Sequence, residues 1–137
     1  MKLLMFDTDG FAYKIHSKGL EHAVSDISEE EFGPGLVIFL HAEAEDELSP
    51  DRMVKKSADN IIWHAKKTGR EQIVLHTFAH LSDSRADPGI AEGILLHLQE
   101  RLRKKGYRAE KTPFGFFLEF TIKVRGESLA KVWKSIS

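Results

Sequence analysis

Two short apolar runs, each followed by an amphipathic helix with clear start and stop signals, constrain the fold more than any other feature. Residues 36–42 have the continuous apolar character of a strand buried on both faces, and residues 71–77 form the next strand. The Ser-Pro-Asp at 49–51 and the Asp-Pro at 87–88 predict two helix starts, because each combines an N-cap with proline at the first helical position. This order predicts a mixed α/β sheet packed with two main helices.

The remaining strands are predicted near the two ends of the chain. Residues 2–6 are apolar and lead into the Asp-Thr-Asp-Gly of residues 7–10, a sequence typical of a turn. We therefore expect residues 11–15 to form a hairpin with residues 2–6. The polar, acidic stretch that follows, residues 17–33, predicts a surface loop or a short helix. Near the carboxy terminus, strict alternation from residue 116 to 125 predicts a strand with one apolar face.

Composition excludes several classes of protein. The chain has 137 residues, of which 42% are hydrophobic and 30% charged, and this composition predicts one globular domain over residues 1–137. There is no cysteine, so disulfides and thiolate chemistry are excluded. The apolar runs are far shorter than the ~20 residues of a membrane span, and no signal peptide is recognised. We expect a cytoplasmic protein with no membrane contact.

Charge is distributed unevenly along the chain. Residues 100–137 carry ten Lys or Arg against four Glu, a net +6, whereas residues 1–99 carry ten basic against seventeen acidic residues, a net −7. The basic part suits a polyanion better than the rest of the chain does. A solvated helix face followed by a charged strand edge explains the same asymmetry.

His80 is the clearest single candidate for chemistry. It lies just past the strand that ends at residue 77 and shortly before the helix start at 87–88, where a loop and a helix N-terminus can bind an anion or a carbonyl group. Imidazole suits proton transfer or hydrogen bonding near neutral pH. A histidine that bonds a backbone carbonyl at a strand end is the equal alternative. His76 lies four residues earlier, but the two histidines straddle a strand end without accompanying acids, so no metal is expected.

The Pro-Phe-Gly at residues 113–115 and the aromatic strand behind it form a second candidate segment. Glycine after an aromatic residue permits a ligand to approach the backbone closely, and it equally permits an ordinary tight turn. Phe117 falls on the polar side of its strand. An exposed ring there suits stacking on a base or sugar, and cover by a neighbouring loop is the alternative.

In this order along the chain, the Phe-Ala-His-Leu-Ser at 78–82 and the Pro-Phe-Gly at 113–115 resemble the two pocket-forming segments of the amino-terminal editing domain of archaeal-type threonyl-tRNA synthetase. The resemblance extends over nearly the whole chain, including residues 1–9 and 36–42. It implies the fold of D-aminoacyl-tRNA deacylases. It also implies an activity, hydrolysis of the ester that joins a wrongly attached serine to the terminal adenosine of threonine tRNA.

The resemblance also implies a set of site residues. It implies a pocket lined by the backbone of Ala42 and Ala79, by the His80 side chain, by Pro113, Phe114 and Gly115, and by the ring of Phe117. At the two positions where the family carries a lysine and a glutamate, this chain has Leu118 and Lys131.

These two departures leave two versions of the chemistry, because Leu118 can neither donate a hydrogen bond nor move a proton. In one, Lys131 supplies an ammonium group from the opposite side of the pocket, with Glu119 as its partner. In the other, which we favour, the free 2′-hydroxyl of the tRNA orients or activates the water while backbone amides hold the substrate. No cofactor is implied by either version.

The partners implied by the resemblance are the 3′ end of threonine tRNA carrying serine, a second copy of the chain in a two-fold dimer, and the remainder of a threonyl-tRNA synthetase. Two other functions stay open. A D-aminoacyl-tRNA deacylase shares the fold, and a non-catalytic tRNA-binding module would tolerate the loss of the lysine and the glutamate.

Overall fold

The computed structural model describes all residues from Met1 to Ser137. Its seven strands are β1 (Lys2–Lys18), β2 (Glu29–Phe32), β3 (Gly35–His41), β4 (Gln72–Thr77), β5 (Arg108–Lys111), β6 (Phe116–Val124) and β7 (Lys131–Ser135). The helices are α1 (Pro50–Thr68) and α2 (Pro88–Lys104), with short 3-10 turns at Ala44–Leu48 and Ser128–Ala130. The predicted mixed α/β class with two main helices is confirmed.

One seven-stranded sheet is organised around β1. Along the path β2-β1-β3-β4-β5, strands β3, β4 and β5 are parallel and β1 is antiparallel to both of its neighbours. Two further strands pair with β1: β7 with residues 2–6 and β6 with residues 8–18. Helices α1 and α2 connect β3 to β4 and β4 to β5, as parallel strands require.

The predicted hairpin within β1 is wrong, because residues 2–18 form one continuous strand. Its pairing with β6 shifts register between Thr8 and Gly10, so the Asp-Thr-Asp-Gly sequence produces a bulge and not a turn. Asp7 accepts a hydrogen bond from Arg70 at 2.6 Å and Asp9 accepts one from Arg125 at 2.7 Å. Arginines distant in sequence therefore bind the two carboxylates, which the local sequence had led us to place in a turn.

The prediction for residues 17–33 is also corrected, since Glu29–Phe32 form the edge strand β2. This strand pairs with residues 11–14 of β1, and its Phe32 is buried against Phe11. The Tyr13 hydroxyl donates a hydrogen bond to Glu30 at 2.7 Å. Burial and the neighbouring Glu30 carboxylate raise the pKa of Tyr13.

The predicted helix ends are close to the observed ones. Helix α1 begins at Pro50 and stops at Gly69, which has φ of 70°, although the Ser49 side chain makes no capping hydrogen bond. In α2 the Asp87 carboxylate accepts a hydrogen bond from the Gly89 amide at 3.0 Å. Neither helix has an apolar stretch of the kind that crosses a membrane.

The two faces of the sheet have different cores. The helix-covered face is aliphatic, with Leu3, Ile38, Ile61, Leu75 and Leu98 among its buried residues. The other face is aromatic and only partly covered, where β6 folds over it. Its members include Phe11, Phe32 and Phe39, with Phe78, Leu118 and Phe120 packed against them. The partly covered aromatic face adjoins the carboxyl ends of the parallel strands β3 and β4, where sites in such sheets are built.

Candidate functional site: a cavity at the carboxyl ends of β3 and β4

A mainly apolar cavity of about 370 Å³ opens at the carboxyl ends of β3 and β4. It is enclosed by the loop after β4, the first turn of α2 and the start of β6. Its volume is within the range of small-ligand sites, roughly 300–1,000 Å³. Among its lining side chains there is no carboxylate, and Arg85 is the only one with a permanent charge.

The structure brings seven of the nine predicted site residues to this cavity. They are Ala42, Ala79, His80, Phe114, Gly115, Phe117 and Leu118. The loop after β4 and the turn before β6 are thus adjacent in space although more than 30 residues separate them in sequence. Pro113 is buried directly before the lining residue Phe114.

Lys131 is not brought to the cavity. It is the exposed first residue of β7 and pairs with Phe6 of β1. Its suggested partner Glu119 is paired with Lys14 and lines a different groove, together with the three glutamates at 29–31. Neither residue lines the cavity within this chain, and the groove beside Glu119 is acidic, which does not suit a polyanion.

His80 is exposed at the mouth of the cavity. Its ring packs edge-on against Phe78, with the ring centroids 4.9 Å apart, and its nitrogens make no hydrogen bond within the chain. The alternative in which His80 bonds a backbone carbonyl is therefore wrong, and both ring nitrogens are available to a ligand. The backbone amide of the neighbouring Ala79 likewise has no partner in the chain.

His41 holds the loop that carries His80. Its Nδ1 accepts a hydrogen bond from the Leu81 amide at 3.0 Å, so Nε2 bears the hydrogen and donates it to the Ser84 carbonyl at 2.7 Å. Burial lowers the pKa of His41, although the Ser84 carbonyl and the Glu43 carboxylate act in the opposite direction. This neutral form is the one that both hydrogen bonds require.

Glu43, two residues after His41, holds the same loop. It accepts hydrogen bonds from the Ser82 hydroxyl and from the Met1 ammonium group, both at 2.6 Å, and it pairs with Lys2 at 3.1 Å. Burial alone would raise the pKa of Glu43, but the hydrogen bonds from these three groups outweigh it and lower the pKa to about 2. The segment after β3 thus pre-orders the loop that carries His80 and Ala79.

The Pro-Phe-Gly turn forms the opposite rim of the cavity. Gly115 has φ of 85°, and its carbonyl accepts hydrogen bonds from the amides of Gly19 and Leu20 at 2.7 and 2.9 Å. A Cβ atom at Gly115 would lie 2.9 Å from the Cβ of Ala23, so both backbone conformation and space require glycine. Phe117 is 61% exposed beside this rim, as its position on the polar side of β6 predicted.

The buried wall of the cavity contains a histidine that the sequence did not assign to a site. His76 is 5% exposed, and its ring lies among Phe39, Phe78 and Phe120. Burial lowers its pKa to about 4, so the ring is neutral at physiological pH. The sequence places His76 in the strand predicted at residues 71–77, but its pairing with Phe39 of β3, which puts it on the aromatic face, comes from the fold. No group of three or more acidic or histidine side chains is placed to hold a metal ion.

Sequence comparison identifies the relatives of this chain. The family described as the archaea-specific editing domain of threonyl-tRNA synthetase matches residues 1–136. The threonine–tRNA ligases of Pyrococcus furiosus and Pyrococcus horikoshii are each 34% identical to the chain over 140 residues, which cover 99% of the chain and 22% of either ligase. That of Methanococcus aeolicus is 28% identical over 137 residues. The chain spans about a fifth of the length of these relatives.

A solved structure supports the fold. The c-Myc DNA unwinding element binding protein has a TM-score of 0.68 and 15% identity, with 100% of this chain and 99% of that chain covered. The predicted fold class, a mixed α/β sheet of the D-aminoacyl-tRNA deacylase type, is confirmed. By sequence, fold and the residues gathered at the cavity, the chain belongs to the archaea-specific editing domain family of threonyl-tRNA synthetase.

Proposed function

We propose that this domain hydrolyses the ester of serine wrongly attached to threonine tRNA and spares correctly attached threonine. Membership of an editing-domain family supports tRNA editing. The observation that carries the proposal is the cavity itself, which joins the loop of Ala79 and His80 to the Pro-Phe-Gly turn. Serine and threonine differ by one methyl group, worth only about 1–3 kcal/mol in a binding pocket, so a second, hydrolytic site has a physical purpose.

The terminal adenosine binds at the mouth of the cavity in this proposal, and the aminoacyl group enters it. Phe117 is the exposed aromatic surface on which a base or ribose can stack, an interaction worth about 1–3 kcal/mol. Arg85, whose guanidinium donates to the Ala79 carbonyl at 3.1 Å, provides a positive charge at the cavity for the tRNA backbone.

Hydrolysis proceeds by attack of water on the ester carbonyl carbon. The bond from that carbon to the ribose 3′ oxygen breaks, the acid is released, and the 3′ oxygen takes up a proton. The cavity has no carboxylate base, and the lone-pair nitrogens of His41 and His76 are already hydrogen-bonded to the Leu81 amide and the Thr112 hydroxyl. In this proposal the 2′-hydroxyl of the adenosine activates the water, and the His80 imidazole and the free Ala79 amide position the ester and its developing oxyanion.

The test is release of labelled serine from Ser-tRNA(Thr) by the wild-type protein and two aromatic variants. Phe117→Ala is expected to raise KM about tenfold, which corresponds to the loss of one stacking contact. Trp63→Ala is the matched control, since Trp63 is a 40% exposed aromatic residue of α1 that does not line the cavity. Equal effects of the two substitutions, or no hydrolysis by the wild type, contradict the proposal.

The two other functions make different predictions in the same assay. A D-aminoacyl-tRNA deacylase would release D-amino acids and leave L-serine attached. A non-catalytic module would bind the tRNA without releasing serine.

We further propose that residues 1–137 act as one editing domain together with the rest of a threonyl-tRNA synthetase, in the cytoplasm, on the 3′ end of threonine tRNA. The short edge strand β2 and the exposed strand β7 leave surface for a two-fold dimer. Light scattering at micromolar concentration measures this; a mass of one chain, near 15.6 kDa, contradicts the dimer.

A further inference from the structure

His76 is a polar side chain held in an otherwise apolar part of the cavity. Its ring centroid lies 4.9 Å from that of Phe39 and 5.4 Å from that of Phe120. Leu118, at the position where the resemblance places a lysine, packs against the same aromatic cluster. Since Phe and Leu side chains cannot form hydrogen bonds, the ring nitrogens of His76 can bond here only to Thr112 or to a ligand.

Thr112 determines which ring nitrogen of His76 carries the hydrogen. The Thr112 side chain is 1% exposed, and its hydroxyl has one partner in the chain, Nδ1 of His76 at 3.0 Å. If Nδ1 carried the hydrogen and donated it, the buried hydroxyl hydrogen of Thr112 would have no acceptor, which native structures avoid. The hydroxyl therefore donates to Nδ1, and the ring hydrogen is on Nε2.

The Nε2–H group of His76 is an unused donor that reaches the cavity. It has no hydrogen-bond partner in the chain. Only two side-chain nitrogen or oxygen atoms are both fully buried and without a hydrogen-bond partner, Ser57 Oγ and His64 Nδ1. Since Nε2 of His76 also lacks a partner but is not one of these two atoms, it is not fully buried. It therefore remains accessible from the cavity that His76 lines.

We propose that His76 Nε2–H donates a hydrogen bond to the side-chain hydroxyl oxygen of the seryl group, and so selects hydroxylated amino acids. The inference rests on the proposed function. His80 and Phe117 lie at the exposed mouth, where the ester must meet water, whereas His76 is 95% buried at the inner wall. The amino-acid side chain is the part of the substrate that extends inward. A neutral donor suits a neutral hydroxyl oxygen. A substrate that lacks a hydroxyl group would leave this buried donor unpaired, so its binding is disfavoured.

The first test compares Ser-tRNA(Thr) with Ala-tRNA(Thr), which lacks only the hydroxyl. The wild-type protein is expected to have a higher kcat/KM for the seryl ester, and His76→Phe is expected to reduce that preference about tenfold, the effect of one hydrogen bond. Thr112→Val, which releases the tautomer, should reduce the preference in part, and Thr112→Ser should preserve it. A His76→Phe protein that is folded by circular dichroism and retains the full preference overturns the inference.

A second measurement separates this inference from the proposed function. In ¹⁵N-labelled protein, the His76 ring is expected to show the Nε2–H tautomer, and adenosine that carries serine in a 3′-amide linkage should shift its Nε2 resonance. The corresponding alanine amide should shift it less. If the wild type hydrolyses neither ester, the proposed function fails while this titration still decides the donor role. An Nδ1–H tautomer, or equal shifts with the two amides, overturns it.

Discussion

Removal of the His41 imidazole is predicted to loosen the loop that carries Ala79 and His80 without unfolding the sheet. His41 makes two hydrogen bonds to that loop, from the Leu81 amide at 3.0 Å and to the Ser84 carbonyl at 2.7 Å. Each contributes about 1 kcal/mol net, so His41→Ala should make local opening easier by about 2 kcal/mol. That energy corresponds to roughly a 30-fold change in the opening equilibrium.

Hydrogen exchange of the Leu81 amide measures this loosening directly. The amide should exchange about 30-fold faster in His41→Ala, by the same arithmetic, while amides in the centre of β3 and β4 keep more of their protection. Release of serine should slow at least tenfold, because a displaced loop moves His80 and Ala79 from the ester.

Two conservative variants separate the two hydrogen bonds. In His41→Asn the amide oxygen can replace Nδ1 as the acceptor for Leu81, and in His41→Gln the amide nitrogen can replace Nε2 as the donor to Ser84. Asn is therefore expected to restore protection of the Leu81 amide more than Gln does. Unchanged Leu81 exchange and unchanged serine release in His41→Ala would refute the view that this histidine orders the loop.

Three further predictions concern the rim, the buried histidine and the residue outside the cavity. Gly115→Ala should lower the free energy of unfolding by at least about 1–2 kcal/mol, because the left-handed conformation alone costs that much. Urea unfolding measures this loss. Gly33→Ala is the control and should show no such loss, since a Cβ added there meets nothing within 4 Å. Burial lowers the pKa of His76 to about 4 from an ordinary 6.5, so the folded state resists its protonation and stability is lost as pH falls from 6.5 to 4. Between about pH 7.5 and 4.5 this loss is roughly 2–3 kcal/mol, and it should be absent from His76→Phe in urea titrations at the two pH values; an equal loss in both proteins contradicts it. Lys131→Met should leave serine release within about twofold of wild type, since Lys131 is outside the cavity; a tenfold loss would return it to the mechanism.

Local sequence signals predicted the helices and the central strands well because those signals act over a few residues. Proline at the first helical position of α1 and α2, and the apolar run of β3, needed no distant partner to take effect. The bulge in β1 could not be predicted in this way. Asp7 and Asp9 are satisfied by Arg70 and Arg125, which are 63 and 116 residues away, and the sequence alone does not reveal these pairs.

The edge strand β2 was the other feature that the sequence did not predict. The Glu-rich β2 has the composition of a surface loop, and it forms because β1 offers an unpaired edge and Phe32 finds buried neighbours. Strand propensity depends on such neighbours more than on the residue itself.

At the site, too, local sequence patterns were predictable and contacts between distant residues were not. Motif residues such as His80 and Gly115 were recognisable as a pattern, whereas the roles of His41 and His76 depend on Ser84 and Thr112, which only the fold brings to them. Lys131 was singled out by its place in a motif, and the fold puts it on β7, outside the cavity of this chain.

The most direct measurement is a time course of ester loss from Ser-tRNA(Thr) and Thr-tRNA(Thr), with the same tRNA and protein concentration for both. The account predicts that serine is released at least about tenfold faster than threonine, in keeping with the discrimination that one methyl group allows. Loss of both amino acids at equal rates, or of neither while the tRNA is still bound, would contradict the claim that this domain edits serine.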